Sequence, residues 1–535
     1  MFDIAIVGGT IVDGTGKPAS RADIGIVEDT LTYIGHGQKI AADHVIDATG
    51  LTICPGLIDP HSHSDWSLLA NRDAQSTIRQ GVTSEVVGNC GVTHAPLSEA
   101  SAETALAGLR SFGYSGACEW RSFAEYLDVV HSGGTAQNLL WFVGHSALRD
   151  AAGIRGSRVD QTQAASLVHH LEAALEAGAV GMSTGLEYGS GRSSTREELR
   201  TLADTLGRRN AMYASHIRNR DESLDSAIDE FFDIVRSGDL RAQLSHLNVR
   251  HNTGARDHAW AEAVDRLVHE REAGIDVLAD MTPYPHGIGM ATGILPPWFI
   301  EEPPANAAAS LRDPSVRERL RHDCDRYWRF IHRGQWERVT LSTSPGTPEL
   351  EGHTFPEIAA RLGKDEWDCY FDVLEFAGSE MAGVQFIGSL FTEDHLAEAI
   401  GHPLFALGVD GFTSSIEGPL FTRTQHPLFF YGHTHYLTHH VMTTHTLTFE
   451  EAIRKMTSMV ADHFGITRRG RLLEGYRADL AIFDTDALQH QPTLKAPSAY
   501  ADAAPFVIVN GALVIDNYAH TGARRGEQLT TDKRN

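Results

Sequence analysis

The sequence predicts an α/β fold: a (β/α)8 TIM-like barrel, with a small β-sandwich built from both termini and an inserted lid segment. Three observations predict it. Short β-like runs occupy both ends of the chain, and eight buried-strand runs alternate with helical stretches between them. One of the intervals between those runs is far too long for a single helix.

At the N-terminal end, Asp3 to Val7, Ile24 to Val27, Leu31 to Ile34 and the pair Val45 and Ile46 read as short strands, with Gly14-Thr15-Gly16 as a turn. The far end repeats that texture in Ala478 to Phe483 and in Phe506 to Val509, where Asn510-Gly511 turns a hairpin into Ala512 to Ile515. The expected division is a sandwich from residues 1–55 plus 466–518, a barrel over 56–465, and a polar, frayed tail at 519–535. Candidate barrel strands end near Asp59, Gly88, His145, Ser183, His216, His246, Asp280 and Asp410. Helical segments such as Ala164 to Ala177 and Glu222 to Ser237 follow them. Asp280 and Asp410 lie 130 positions apart, so an insertion interrupts the last unit. Its first part, 283–346, is rich in Pro, Trp and Arg and reads as a lid.

Composition narrows the function. The 535 residues are 42% hydrophobic and 21% charged, an ordinary globular balance. Lys and Arg total 45 against 70 Asp and Glu, a net charge of −25 that repels phosphate backbones and anionic lipid. Nucleic-acid and membrane partners are therefore not expected. No apolar run reaches the ~18 residues of a membrane helix, and Met1-Phe2-Asp3-Ile4 lacks the basic start of a signal peptide. Five scattered cysteines without a CxxC pair suit a reducing cytoplasm better than a disulfide scaffold. The outlier is histidine, at 29, which points to chemistry on small molecules.

The strongest local signal is Asp59-Pro60-His61-Ser62-His63, directly after the apolar run Ile53 to Ile58. Alternate residues of a strand share a face, so His61 and His63 can present two imidazoles to one ion. Cys90, His216, His246 and Asp410 share the same position at the C-terminal ends of strands, where barrel chemistry sits. A thiolate, four imidazoles and a carboxylate can hold one zinc, or two with the thiolate shared. Two other patterns are weaker. Gly181-Met182-Ser183-Thr184-Gly185 matches a serine-nucleophile elbow, but the chain continues as loop where that motif needs a helix. Six histidines, at 426, 433, 435, 439, 440 and 445, have few acidic neighbours and read as surface or supporting groups.

Together these motifs resemble the amidohydrolase superfamily, and within it the N-acyl-D-amino-acid deacylase (D-aminoacylase) family. The resemblance spans nearly the whole chain, from Ile6-Val7-Gly8-Gly9-Thr10 to Gly475-Tyr476-Arg477-Ala478-Asp479-Leu480, and Gly88-Asn89-Cys90-Gly91 is its most specific part. It implies that Cys90, His216 and His246 hold a tight zinc. His61, His63 and Asp410, with Cys90 able to bridge, would form a second, weaker site. Zinc lowers the pKa of bound water from 15.7 towards ~7 and polarises a carbonyl. Asp410 would be the catalytic acid–base, taking a proton from the water and passing it to the leaving nitrogen. Tyr188 would bond to substrate. The implied reaction is hydrolysis of a small N-acyl compound to an acid and an amine. An ester, lactone or cyclic amide is the alternative substrate on the same metal site. A non-catalytic assembly protein is a third reading, which the full set of candidate ligands disfavours.

The chain departs from that family at three positions expected to meet substrate. Where the family typically carries Lys, Tyr and Arg, well suited to an α-carboxylate, this chain has Asn248, Thr282 and Leu428. A substrate with a neutral or apolar amine portion is the expectation, unless Arg218, Arg250 or Arg423 supplies the missing charge.

Overall fold

The structure is a computed structural model that describes all residues except 37–40, 301, 325–327, 424, 425, 490–492, 495, 496, 498 and 532–535. Eight parallel strands form its centre: β1 (Leu57–Asp59), β2 (Val82–Val87), β3 (Asn138–Gly144), β4 (Gly181–Gly185), β5 (Met212–His216), β6 (Ala242–Leu244), β7 (Val277–Met281) and β8 (Phe405–Leu407). They pair in chain order, and all eight fall where the apolar runs placed them. Each is buried on both faces, which is why they lack the solvent-facing polar stripe of a half-exposed strand.

The ring closes just beyond the strand ends. Ser62 bridges Gly411 in parallel register. His63 N–H donates to Gly411 O over 2.7 Å, and Asp410 N–H donates to His61 O over 2.9 Å. The connecting helices include Gln161–Glu176, Arg196–Arg208 and Leu224–Gly238. Asp160 and Thr195 accept the N–H three residues on and so satisfy donors that a helix start leaves open.

Both termini build the remaining sheets. A four-stranded sheet holds Thr30–Gly35, Asp23–Val27, Phe2–Val7 and Ala42–Asp47. It shares a hydrophobic core with a seven-stranded sheet that runs through Leu480–Phe483 and Thr52–Pro55. Period-2 alternation gives the second sheet two jobs. Leu480 and Ile482 enter the core between the sheets, while Ala481 and Phe483 pack towards the barrel.

The insertion between β7 and β8 folds around its own antiparallel sheet, ordered His286–Met290, Gln385–Ser389, Val339–Thr343. Trp336, Phe355, Tyr370 and Phe386 pack beneath it, with Trp336 and Phe355 rings 4.8 Å apart. The segment 283–346 therefore shares its sheet with a strand beyond its expected end.

The tail differs from expectation. Residues 519–531 are not frayed: Ala519–His520 completes the seven-stranded sheet, and the following chain runs beside β3. Leu139 N–H donates to Glu527 O and Leu529 N–H donates to Leu139 O, over 3.0 and 2.8 Å. Leu529 is buried, Arg524 pairs with Asp73, and Arg469 pairs with Glu527. Backbone pairing with β3 orders a segment whose side chains are mostly polar. Deleting residues 521–535 should cost about 2 kcal/mol or more from the lost burial of Leu529 alone. Thermal unfolding should show a Tm lower by roughly 2 °C or more, and an unchanged Tm would mean that the tail contributes nothing.

Candidate metal centre

The strand ends bring all six sequence-predicted ligands together. His61 Nε2 lies 3.2 Å from Cys90 Sγ and 3.4 Å from Asp410 Oδ1. His63 Nε2 lies 3.1 Å from the same Asp410 oxygen. On the other side of Cys90, His246 Nε2 is 3.4 Å and His216 Nδ1 is 4.0 Å from the sulfur. Two donor groups result, His61–His63–Cys90–Asp410 and Cys90–His216–His246, each with its donor atoms within 4.8 Å of one another. Cys90 belongs to both.

Local backbone conformation aims these side chains. Cys90, His246 and Asp410 all have positive φ, at 54°, 35° and 57°. Such conformations cost a non-glycine residue on the order of 1–3 kcal/mol and cluster at functional positions. The glycines around Cys90 allow the turn. A Cβ on Gly91, where φ is 76°, would sit 2.5 Å from the Gly185 nitrogen, so strand β4 can approach the thiol only because that side chain is missing.

Three further groups orient the imidazoles, and the sequence reading assigned none of them a role. His61 Nδ1–H donates to Asp280 Oδ1 over 3.1 Å, which leaves Nε2 to face the centre. Asp280 also accepts from His246 N–H over 2.9 Å and from Gln243 over 2.6 Å. His216 Nε2–H donates to Glu187 Oε2 over 2.8 Å, which turns Nδ1 inward. Arg220 presents Nη1 3.1 Å from His246 Nδ1 and Nη2 3.3 Å from Glu187. Asp280 had been legible only as a strand end and Glu187 only as the neighbour of Tyr188. The turn itself is braced by Glu85, which accepts from Ser62 and Ser64 over 2.7 and 2.8 Å and whose carboxyl is pushed up to about 7, chiefly by burial.

The electrostatics suit a cation. Burial alone would raise the Cys90 thiol, yet the imidazoles of His61 and His246 outweigh it and hold the thiol well below its ordinary range. Burial, with the Arg220 charge, pushes His246 down to about 4 and keeps it neutral. Burial also works against an ionised Glu187, but the charge of Arg250 and the bond from His216 keep it ionised. A thiolate, four imidazoles and a carboxylate converging in a buried cleft match the donor chemistry of zinc.

Of the positions expected to meet substrate, Tyr188, Asn248 and Leu428 lie beside residues of this centre. Tyr188 Oη lies 3.3 Å from His216 Nδ1, and its ring stands edge-on to that imidazole. Asn248 donates to His246 O over 2.5 Å, while its buried Oδ1 has no partner among the described residues. Thr282 is half-buried just past β7. Leu428 Cδ1 would lie 2.8 Å from a Cβ on Gly411, beside Asp410. Two of the arginines considered as substitute cations are already engaged. Arg218 bonds Glu230 and two backbone carbonyls, and buried Arg250 bonds Glu187 and Asp221. The side chain of Arg423 lies outside the described residues. Ser183 spends its hydroxyl on Gly88 O and Gly91 N–H inside strand β4, so it is no nucleophile elbow.

Known proteins are similar to this chain over nearly its whole length. A D-aminoacylase of Alcaligenes xylosoxydans xylosoxydans is 31% identical, with 99% of this chain and 97% of that protein covered. An N-acyl-D-glutamate deacylase of the same organism matches at 31%, again with 99% and 97% covered. Among solved structures, a D-aminoacylase with a binuclear metal centre superposes with a TM-score of 0.81 at 27% identity, covering 99% of this chain and 100% of that one. An N-acyl-D-glutamate deacylase of Bordetella bronchiseptica, solved with zinc and a phosphonate inhibitor, gives the same TM-score and identity with 99% of both chains covered. Residues 44–375 and 421–515 match the amidohydrolase family itself, and on that match and those relatives this chain belongs to the amidohydrolase family.

Proposed function

We propose that the protein is a zinc-dependent hydrolase that cleaves the amide bond of a small N-acyl compound with a neutral or apolar amine portion. The observation that carries this reading is the convergence of Cys90 with His61, His63, His216, His246 and Asp410 at one end of the barrel. Cys90, His216 and His246 are the proposed tight set. His61, His63 and Asp410 are the weaker set, with Cys90 shared. A bound zinc ion lowers the pKa of water towards ~7 and polarises the scissile carbonyl.

The chain's own residues do the rest. Asp410 is the most exposed of the six, with 32% of its side chain accessible, and His63 holds one of its oxygens. It is the group placed to take a proton from the attacking water. An amide anion is a poor leaving group, so the same carboxyl delivers that proton to the nitrogen as the C–N bond breaks. Asp280 and Glu187 fix His61 and His216 in the tautomers that face the ion. Tyr188 Oη, above the face lined by His216, donates a hydrogen bond to substrate.

Substrate choice follows from what stands around Asp410. Asn248, Thr282 and Leu428 offer an amide, a hydroxyl and an alkyl group, and Phe429 packs at a tilt against Phe412 with ring centroids 4.5 Å apart. The cation nearest the ligands, Arg220, is buried against His216, His246 and Glu187. A carboxylate brought in without a free cation loses about 3 kcal/mol, a factor of about 150. The unpartnered Asn248 Oδ1 suits an N–H donor on the substrate instead.

Three variants and one substrate comparison check this account. Cys90→Ala should lose both zinc, by metal analysis, and turnover; full zinc content with normal rates would remove the thiolate from the centre. Asp410→Asn should keep the tight zinc and lose at least ~100-fold in kcat, whereas Asp280→Asn should weaken zinc binding by about 10- to 100-fold. Comparing kcat/KM for an N-acyl-D-amino acid with its uncharged amide should favour the amide by about 100-fold. Preference for the free acid by ten-fold or more would mean that a cation does reach the pocket.

A further inference from the structure

Away from the candidate centre, three of the histidines read as surface groups come together. His435, His439 and His440 each offer a ring nitrogen, and these nitrogens lie within 4.8 Å of one another. The helix that carries them explains how. Leu428–His435 is α-helical, but Tyr436–Thr443 is a π-helix, with Thr444 N–H donating to His439 O five residues back. In an α-helix, residues i and i+5 point to different sides. Widening the turn brings i+4 and i+5 towards the same side as i, and such π segments recur at functional sites. The hydroxyls of Thr438 and Thr443 donate to Thr434 O and Thr438 O, over 3.0 and 2.9 Å, along the widened stretch.

His440 carries the second observation. It is 1% exposed, and its Nε2–H donates to Pro283 O over 3.0 Å. That bond fixes the tautomer and leaves the Nδ1 lone pair buried without a partner among the described residues. Burial pushes this imidazole down to about 4, so it is neutral at physiological pH. His439 sets its Nε2 3.3 Å from Glu393, again leaving the other nitrogen available. His435 lies flat against His439, centroids 4.9 Å apart, and its far face stacks on Tyr284 at 3.9 Å. Metal-bound histidines are held in this way, by a carbonyl or carboxylate on the nitrogen away from the ion.

We propose that His435, His439 and His440 form a second, separate metal site for Zn2+ or a similar borderline divalent cation, with its open side towards solvent. Three imidazoles satisfy the nitrogen preference of such ions. The half-exposed His435 and His439 leave room for water as a further ligand. The partners of these histidines show what the ion would join. Pro283 is where the chain leaves β7 for the insertion, and Glu393 opens the helix Glu393–Gly401 by which it returns towards β8. The same helical segment begins at Leu428 and places Tyr436 Oη on the carbonyls of Met281 and Gly408. The ion would thus clip both ends of the insertion to the segment lining the proposed pocket.

The test uses the whole protein, purified with its own metal and equilibrated at a fixed free Zn2+ concentration. Zinc per chain should exceed that of His439→Asn and of His440→Asn by one equivalent, with kcat of His439→Asn unchanged. Added Zn2+ should raise Tm more in the wild type than in either variant. His439 is half-exposed, so its replacement keeps the test valid if loss of the buried His440 impairs folding. Equal zinc content in wild type and His439→Asn would overturn the proposal. So would an extra equivalent that persists in both variants.

Discussion

The seam between the first and last barrel strands is the constraint on which the rest depends. Two backbone bonds close it, from His63 to Gly411 and from Asp410 to His61, and they hold the backbone of both histidines against that of Asp410 and its neighbour. Asp59 reinforces the seam by accepting from His61 N–H over 2.8 Å and from Val409 N–H over 3.3 Å. His433, on the helix that follows, comes within 3.1 Å of the other Asp59 oxygen. Barrel closure and assembly of the centre are therefore a single event. A shift of register at this seam would carry His61 and His63 away from Asp410 and leave several buried polar groups without partners.

Around the seam the chain accepts strain in order to aim its donors. Left-handed backbone at Cys90, His246 and Asp410 is unfavourable residue by residue, and burial of so many polar groups adds to the cost. Hydrogen bonds and charge pairs offset it: Asp280 on His61, Glu187 on His216, and Arg250 on Glu187. Asp280 ties His61 to β7, and Glu187 ties His216 to the loop after β4, so the geometry is held from several sides of the ring. This is how a site whose ligands come from β1, β2, β5, β6 and β8 can be rigid.

Much of this was legible in the sequence because burial on both faces leaves a direct trace. Asn138–Gly144 holds the unbroken apolar run Leu139 to Val143, and the candidate ligands stand at or just past the ends of the other strands. The orienting groups were not legible. Nothing in the local sequence around Asp280, Glu187 or Arg220 says which imidazole each will face, since that depends on the order of strands in the ring. The tail misled for a similar reason, as its order comes from backbone bonds to Leu139 that its side chains do not announce. The spacing of His435, His439 and His440 does not describe one face of an α-helix. Only the π-helical turn makes it one.

The account rests on a thiolate shared among imidazoles at the strand ends, and X-ray absorption at the zinc edge of the purified protein tests that most directly. Cys90 predicts a sulfur scatterer at about 2.3 Å together with nitrogen or oxygen at about 2.0–2.1 Å. The sulfur contribution should vanish from any zinc that remains in the Cys90→Ala protein. A wild-type spectrum fitted by nitrogen and oxygen alone would contradict the account at its centre.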